Sequence, residues 1–325
     1  MESKLRVGVV GVGHFGNYHA QIYSKMPGTT LVAVADCDRK RAQSVALACR
    51  CMAVTDPLAL LDQVDAVSIA VPTVHHLEVA RPFLEKGIHV LLEKPIATNS
   101  NEAVELISLA RRNNAILQIG HLERFNGGVR ALLENAKDVQ FIEAHRLGIF
   151  SNRSTDVDVI MDLMIHDIDI VLALTQSEPI KIDAVGTPVL TRHVDIANAR
   201  LEFENGAVAN ITASRVSNKR LRRIRVFSNG SYYGMNYEDQ ELVIVYKDGA
   251  SVNTESQLMT HQKKISVKSR PSLEVELYDF THSVRKDLPP VVDGYAGLAA
   301  LQVALQVKER IALCAPNQKT SHSLT

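Results

Sequence analysis

Residues 5–16 read LRVGVVGVGHFG, an apolar, β-branched run that ends in glycines at 11, 13 and 16 and passes at once into NYHAQIYSKM (17–26), whose apolar positions recur at helical spacing. A strand, a glycine turn and a helix in that order decide the fold. Gly11 permits the tight turn, Gly13 lets a backbone approach a pyrophosphate, and Gly16 lets the helix pack against the strand. The phosphates would lie against the free N–H groups at the start of the helix, beside His14 and Phe15.

The next strand, TLVAVAD (30–36), ends at Asp36, about twenty residues past the last glycine, where an acidic side chain binds the adenosine ribose hydroxyls of a dinucleotide. A carboxylate there repels a 2′-phosphate, so NAD is expected over NADP. Cys37 and Arg39 follow as further cofactor contacts, with Arg41 close by; the bland alternative is that Asp36 merely caps the helix that follows. The alternation then continues. CMAVT, DAVSIAVP, HVLLEKP and AILQIG read as strands, and DPLALLDQV, HHLEVARPFLEKG and NEAVELISLARRN read as helices. Nearly uniform apolar strands joined by helices predict a doubly wound parallel sheet covered on both faces, a Rossmann-type α/β domain over residues 1–121. Ligands of such sheets lie beyond the carboxyl ends of the strands. Val71, Pro72, Thr73 and His76 from one end, and Glu93 and Lys94 from another, are therefore expected in the same crevice as Gly11 and Gly13.

With 325 residues, 46% of them hydrophobic, the chain exceeds one α/β domain, and two domains are expected. Its 36 basic and 36 acidic residues balance, so bulk charge steers it toward neither nucleic acid nor an anionic membrane. No apolar stretch approaches the roughly 20 residues that span a bilayer, and MESKLRVGVVG lacks a signal-peptide pattern; a cytoplasmic protein is expected. Cys37, Cys49, Cys51 and Cys314 form no CxxC pair and no zinc-spaced cluster, and they read as small reduced side chains.

After Gly120 the pattern changes. HLERFNGGVRALLENA (121–136) reads as a helical connection. FIEAHRLGIF, IKIDAVGTPVL, DIANARLEF, AVANITASRV, RRIRVFS, SYYGMNY and ELVIVYK follow as strands, with turn signals ENG, SNG and KDG between some of them. This predicts an α+β domain over 122–325, with a large, mostly antiparallel, open-faced sheet of about six strands. Its exposed face of Ile, Val, Ala and Phe would pair copies into a homodimer or homotetramer. The C-terminal GYAGLAALQVALQVKERIAL reads as a helix over about 293–314 returning to the first domain, and APNQKTSHSLT as a frayed tail.

The segment STDVDVIMDLMIHDIDIVLAL (154–174) carries the most chemistry. Read as a helix, it places Asp162 and His166 at i and i+4 on one face. Asp158 lies a turn before and Asp169 three residues after. Carboxylates and an imidazole among Ile, Met and Leu are costly to bury unless paired. An amphipathic helix with a solvated acidic stripe explains any one acid but not the DxxxH. A metal on Asp162 and His166 would need a third ligand that nothing obvious supplies, and none is expected.

In order, the GxGxxG, the EKP of Glu93, Lys94 and Pro95, the GHLERFN after the last Rossmann strand and the MDLMIHDID helix before an open sheet resemble the Gfo/Idh/MocA family of NAD(P)-dependent oxidoreductases over nearly the whole chain. The resemblance implies that Lys94, Asp162 and His166 line the site beside the nicotinamide as the catalytic set. One departure is DVDVIM, where many relatives carry a glycine-rich stretch, so the loop entering the helix differs. Together with EAHRLGIF and VDIANARLEF, the motifs look most like the subgroup that oxidises C3 of UDP-N-acetylglucosamine to a ketone ahead of transamination in lipid A precursor synthesis. For hydride transfer from such an alcohol, His166 is the preferred base, oriented by Asp162, and Lys94 would hydrogen-bond the reacting oxygen. The opposite assignment needs a lysine pKa depressed by burial. A sugar diphosphate needs cations, for which Arg146, Arg153 and Arg215 are candidates; His121, Arg124 and Asn126 are candidates near the nicotinamide or the sugar. A different sugar or polyol dehydrogenase and a non-catalytic dinucleotide sensor are the rival readings.

Overall fold

The computed structural model describes residues 3–151, 157–247, 260–267 and 270–314. Short runs with almost no polar side chains build the first sheet. β1 (Leu5–Val10), β2 (Thr29–Ala35), β3 (Met52–Val54), β4 (Ala66–Ile69), β5 (His89–Glu93) and β6 (Leu117–Gly120) form six parallel strands in the order β3-β2-β1-β4-β5-β6. The order reverses between β1 and β4, and the crevice beyond the carboxyl ends opens there. The crossovers are α1 (His14–Tyr23), α2 (Arg39–Cys49), α3 (His76–Glu85) and α4 (Ser100–Arg112). DPLALLDQV is not the helix expected. Asp56 caps a single 3-10 turn at Pro57–Leu60 and the chain then turns to β4, because so short a run has little length left after its proline start.

The 3-10 turn Leu122–Phe125 and α5 (Gly127–Asn135) lead into a second sheet of eight strands, not about six. These are β7 (Val139–Leu147), β8 (Pro179–Thr187), β9 (Ile196–Phe203), β10 (Val208–Ser214), β11 (Leu221–Ser228), β12 (Ser231–Asn236), β13 (Glu241–Lys247) and β14 (Thr260–Ser266), in the order β14-β13-β12-β11-β7-β10-β9-β8. Among the described residues, only the central β7–β10 pair of this sheet is parallel. β14, THQKKIS, is too polar to announce itself; it lies at the edge, where Lys264 pairs with Glu241 at 2.6 Å.

Alternation decides which face is which. Ile142, Ala144, Ala199, Leu201, Ala209, Ile211, Ile224 and Val226 point inward into one core shared with α6 (Ile165–Thr175) and α8 (Gly294–Cys314). The apolar outer face expected from the sequence is thereby corrected in part, because most of the Ile, Val and Ala positions belong to the covered side, although Ile180 and Val185 of β8 are exposed. The outer face carries a Glu143–Arg225 ion pair, Asn198 donating to Thr212 at 2.9 Å and Arg200 donating to Asn210 at 3.3 Å. Its apolar part includes an aromatic run of Phe141, Phe227 and Tyr232, with ring centroids 5.7 and 5.2 Å apart.

α8 serves both halves. Val303, Ala304 and Val307 enter the core under the second sheet, whereas Leu301 enters the core of the first. Side chains at Gly294 and Gly297 would collide with Ile107 and Ile119, each at 2.7 Å, so these glycines let the helix lie directly on α4 and β6. α7 (Ser272–Lys286) packs against α1, with Leu277 and Phe280 in a core beside Val7, Val9 and Tyr23. Among the described residues no helix is long and apolar enough to cross a membrane.

Candidate active site

The glycine turn has the shape that a bound pyrophosphate requires. Gly11 sits at φ +80°, and a β-carbon there would meet the Ala70 carbonyl oxygen at 2.7 Å. At Gly16 it would meet the Gly11 carbonyl oxygen at 1.8 Å, so the helix contacts the strand only because position 16 has no side chain. Gly13 has nothing within 4 Å, which leaves open space over the start of α1. No side chain caps that helix and its first turn holds no acidic residue, so its N–H groups remain for an anion. His14 and Phe15 are exposed there, packed edge to face at 5.5 Å.

Beyond the turn lies a cavity of about 730 Å³ lined by Gly11, Gly13, Asp36, Cys37, Arg41, Val71 and Pro72 among others. The Asp36 carboxylate accepts from the backbone N–H groups of Val12 and Asp38, both at 2.9 Å, and so ties the glycine turn to the end of β2. Cys37 Sγ lies 3.8 Å from the same carboxylate. The arginine on this cavity is Arg41, with Nη1 3.3 Å from Asp36. Arg39, expected as a contact, lines a neighbouring depression with Gln43 and Asp56 instead, because the first turn of α2 rotates it off the cavity. His76 is also placed differently. Its ring is buried, with Nε2 3.1 Å from the Val71 carbonyl and Nδ1 3.3 Å from that of Ile96, and it braces two loops instead of facing the crevice. Thr73 opens the short 3-10 turn Thr73–His75 at the end of β4. The open glycine turn, the uncapped helix and the acid at the tip of β2 together fit a dinucleotide.

At the end of β5 the Lys94–Pro95 peptide is cis, and Lys94 reaches across to the other half of the chain. Its Nζ donates to the Asp162 backbone carbonyl at 2.7 Å and lies 3.7 Å from the Asp162 carboxylate. Burial pushes the Lys94 ammonium below its ordinary value, and the Asp162 and Glu93 carboxylates offset only part of that. Asp162 lies in a π-helical turn, Ile160–Met164, that precedes α6. Asp158 opens the turn by accepting from the Met161 N–H at 2.9 Å, and it pairs with Lys308 of α8 at 2.8 Å.

The wider turn changes what the DxxxH spacing achieves. Asp162 faces Lys94, and no hydrogen bond joins it to His166 among the described residues. His166 lies beside His121, ring centroids 6.3 Å apart, and its buried Nδ1 is without a partner, as are both ring nitrogens of His121. Burial, with the charges of Lys94 and Arg146 nearby, holds His166 well below the ordinary imidazole value. Burial also lowers His121. The site thus sets an imidazole whose burial and cationic neighbours disfavour its charged form beside the Lys94 amino group.

The expected substrate cations divide. Arg153 lies outside the described residues. Arg146 is not a pocket cation: the alternation of β7 turns it inward, where Nε and Nη2 donate to Asp167 at 2.8 and 2.9 Å and Nη1 to Glu123 at 2.7 Å. Its guanidinium sits 4.8 Å from the Tyr237 ring centroid, and the Tyr237 hydroxyl donates to Asp167 at 3.0 Å. Arg215 donates to the Val157 carbonyl at 2.6 Å. Arg124 pairs with Asp169 at 3.2 Å, and Asn126 caps α5 by accepting from Gly128 at 3.0 Å. Sequence reading missed Asp167 and Tyr237 as partners; Asp167 was visible only as one more acid in a crowded helix.

Residues 5–121 match the oxidoreductase family with an NAD-binding Rossmann fold described as GFO_IDH_MocA, and residues 124–233 match the GFO/IDH/MocA C-terminal domain. Across 94% of this chain and 96% of the other protein, it is 38% identical to the UDP-N-acetylglucosamine 3-dehydrogenase of Acidithiobacillus ferrooxidans. The chain belongs to the Gfo/Idh/MocA family. As such it is an NAD-dependent oxidoreductase acting on CH–OH groups. A solved structure of that Acidithiobacillus ferrooxidans enzyme superposes with a TM-score of 0.89, covering 96% of this chain and 99% of that one at 37% identity. The myo-inositol 2-dehydrogenase of Thermotoga maritima is 26% identical over 94% of this chain and 96% of its own. A levoglucosan dehydrogenase complex with NADH and levoglucosan shares the fold, with a TM-score of 0.84 at 17% identity over 96% of this chain and 98% of that one.

Proposed function

We propose that this Gfo/Idh/MocA enzyme oxidises a sugar hydroxyl to a ketone, specifically C3 of UDP-N-acetylglucosamine, forming the keto sugar nucleotide for a later transamination in lipid A precursor synthesis. The observation that carries the reading is the meeting of Lys94 with the Asp162–His166 segment at the carboxyl end of the parallel sheet. The likeness over nearly the full length to an enzyme of that name supports the substrate. Lys94 donates a hydrogen bond to the reacting oxygen, Asp162 holds the ammonium in place, and neutral His166 accepts the hydroxyl proton. NAD, when bound, supplies the hydride acceptor. Gly11, Gly13, Gly16 and Asp36 would hold it, with His14, Phe15, Cys37, Val71, Pro72 and Thr73 nearby; the Glu93 carboxylate, expected in the crevice, turns instead to His19.

A second assignment makes Lys94 the base, and the burial that lowers its pKa favours it. The two separate by pH profile: if His166 is the base, His166→Asn removes the acidic limb of kcat/KM and Lys94→Met leaves it. Purified protein given NAD and UDP-N-acetylglucosamine should form NADH and a ketone at C3 identifiable by NMR. Lys94→Ala, Asp162→Ala and His166→Ala should each lower kcat by orders of magnitude while NAD still binds. Turnover of inositols or free hexoses but not of the UDP-sugar overturns the substrate, and inertness toward all of them revives a dinucleotide sensor. For assembly, we propose a homodimer or homotetramer through the outer sheet face, centred on Phe141, Phe227 and Tyr232; light scattering that shows a monomer rejects it.

A further inference from the structure

Behind the crevice, α1, β5 and α7 converge on a polar cluster, fully buried at His19 and Glu276 and partly open at Glu93, whose His19 and Glu276 the mechanism above does not use. One side-chain atom each of His19, Glu93 and Glu276 lies within 4.8 Å of the other two. His19 Nε2 is 3.2 Å from Glu93 Oε1. His19 and Glu276 are both 0% exposed, and neither ring nitrogen of His19 nor either carboxyl oxygen of Glu276 has a hydrogen-bond partner of good geometry. Gln118 of β6, also buried, donates to the backbone carbonyl of Glu276 at 3.3 Å. The Glu93 side chain crosses over Gly120, where a β-carbon would meet its carboxyl group at 3.1 Å, so the path into the cluster depends on that glycine.

A count of donors and acceptors decides what the cluster holds. Two ionised carboxyl groups accept only, and a neutral imidazole offers one N–H. The Tyr23 hydroxyl, the next group on α1, is engaged with Ser68 at 2.9 Å. Acceptors therefore outnumber donors around the Glu276 carboxyl group, which is fully buried, and an unpaired buried charge there is expensive. One added proton on a carboxyl group supplies the missing donor.

We propose that Glu276 carries a proton in the working enzyme and is a positioning residue: through Glu93 it fixes the strand end that bears Lys94 against the dinucleotide-binding helix. The inference rests on the oxidoreductase reading of Lys94. Burial raises Glu276 well above the ordinary carboxyl value, and the neighbouring Glu93 and Asp279 add to the rise. The titratable groups facing it are His19 and Tyr23 from α1, Glu93 from β5 and Asp279 of α7 itself. The Leu122–Phe125 turn packed on α7 has its own charges, Glu123 and Arg124, paired with Arg146 and Asp169. Ionising Glu276 would set two carboxylates against each other and push the end of β5 outward.

The test compares Glu276→Gln, which keeps a donor and cannot ionise, with Glu276→Ala. The Gln variant should retain NAD affinity and kcat within about threefold, and the Ala variant should lose about tenfold or more in kcat with a smaller change in NAD affinity. A folded pKa raised above the unfolded one means that stability falls as pH rises between the two values. The Tm of the Gln variant should therefore match wild type near pH 5 and exceed it increasingly toward about pH 9. The infrared carbonyl band of a protonated carboxylic acid should be present in wild type and absent from the Gln variant. A Gln variant as impaired as the Ala variant, no activity loss in either, a missing carboxylic-acid band, or a stoichiometric metal removed by chelator with loss of activity would each overturn the proposal. NAD titration, melting and infrared spectra need no sugar, so an error in the substrate assignment leaves them readable.

Discussion

Replacing Asp167 with Ala tests whether the buried Arg146 hub holds the second half of the chain together. Arg146 and Asp167 are 3% and 1% exposed, and the guanidinium spends two donor groups on Asp167 and one on Glu123. Removing Asp167 leaves Arg146 with Glu123 alone and the Tyr237 hydroxyl without its acceptor. Breaking a buried ion pair by deleting one partner costs about 3–5 kcal/mol, because the remaining charge is stranded away from water. The retained Glu123 contact places the expected loss near the lower end, about 3 kcal/mol, some hundredfold or more in the folding equilibrium. Urea denaturation followed by far-UV circular dichroism reads it. Since a buried pair can be nearly neutral against apolar packing, Arg146→Met combined with Asp167→Leu should recover most of the loss. A coupling energy below about 1 kcal/mol between positions 146 and 167 in that cycle would refute the reasoning.

Gly16→Ala should destabilise the protein and abolish NAD binding, since the new β-carbon would overlap the Gly11 carbonyl; Gly13→Ala should melt like wild type yet bind NAD poorly, because its β-carbon enters space that the free protein leaves open. Equal effects of the two on melting, read by calorimetry, would show that the turn is only a packing device. Asp36→Ser should shift the preference from NAD toward NADP by freeing Arg41 to meet a 2′-phosphate. The ratio of Kd values by titration checks this, and an unchanged ratio argues that Asp36 serves only the Val12 and Asp38 amides.

The fold was legible where one local rule governs one local element. The β1 strand, the glycine spacing and the acid ending β2 declare a dinucleotide platform because backbone approach and ribose recognition each demand a particular residue type. The second sheet showed itself by alternation, but its outer face was misjudged: alternation gives the period and not which phase faces inward. α7 was legible in the helical spacing of Leu273, Leu277, Phe280 and Val284, yet it passed unnoticed beside the strands before it. The site was legible as a set of residues and not as a set of partners. Asp162 and His166 share a spacing, and the π turn between them redirects the carboxylate to Lys94. Arg146 appeared as an anion-binding candidate because its true partners, Glu123 and Asp167, come from separate elements.

The dual service of α8 bears on how this protein is made. Leu301 fills the first core and Val303 and Val307 fill the second, so a helix translated after both sheets completes both. Until then the Rossmann half, although translated first, exposes the apolar surface of Ile107 and Ile119 that Gly294 and Gly297 will cover. Premature termination anywhere before α8 would release a polypeptide with two open cores, a natural client for chaperones and proteases.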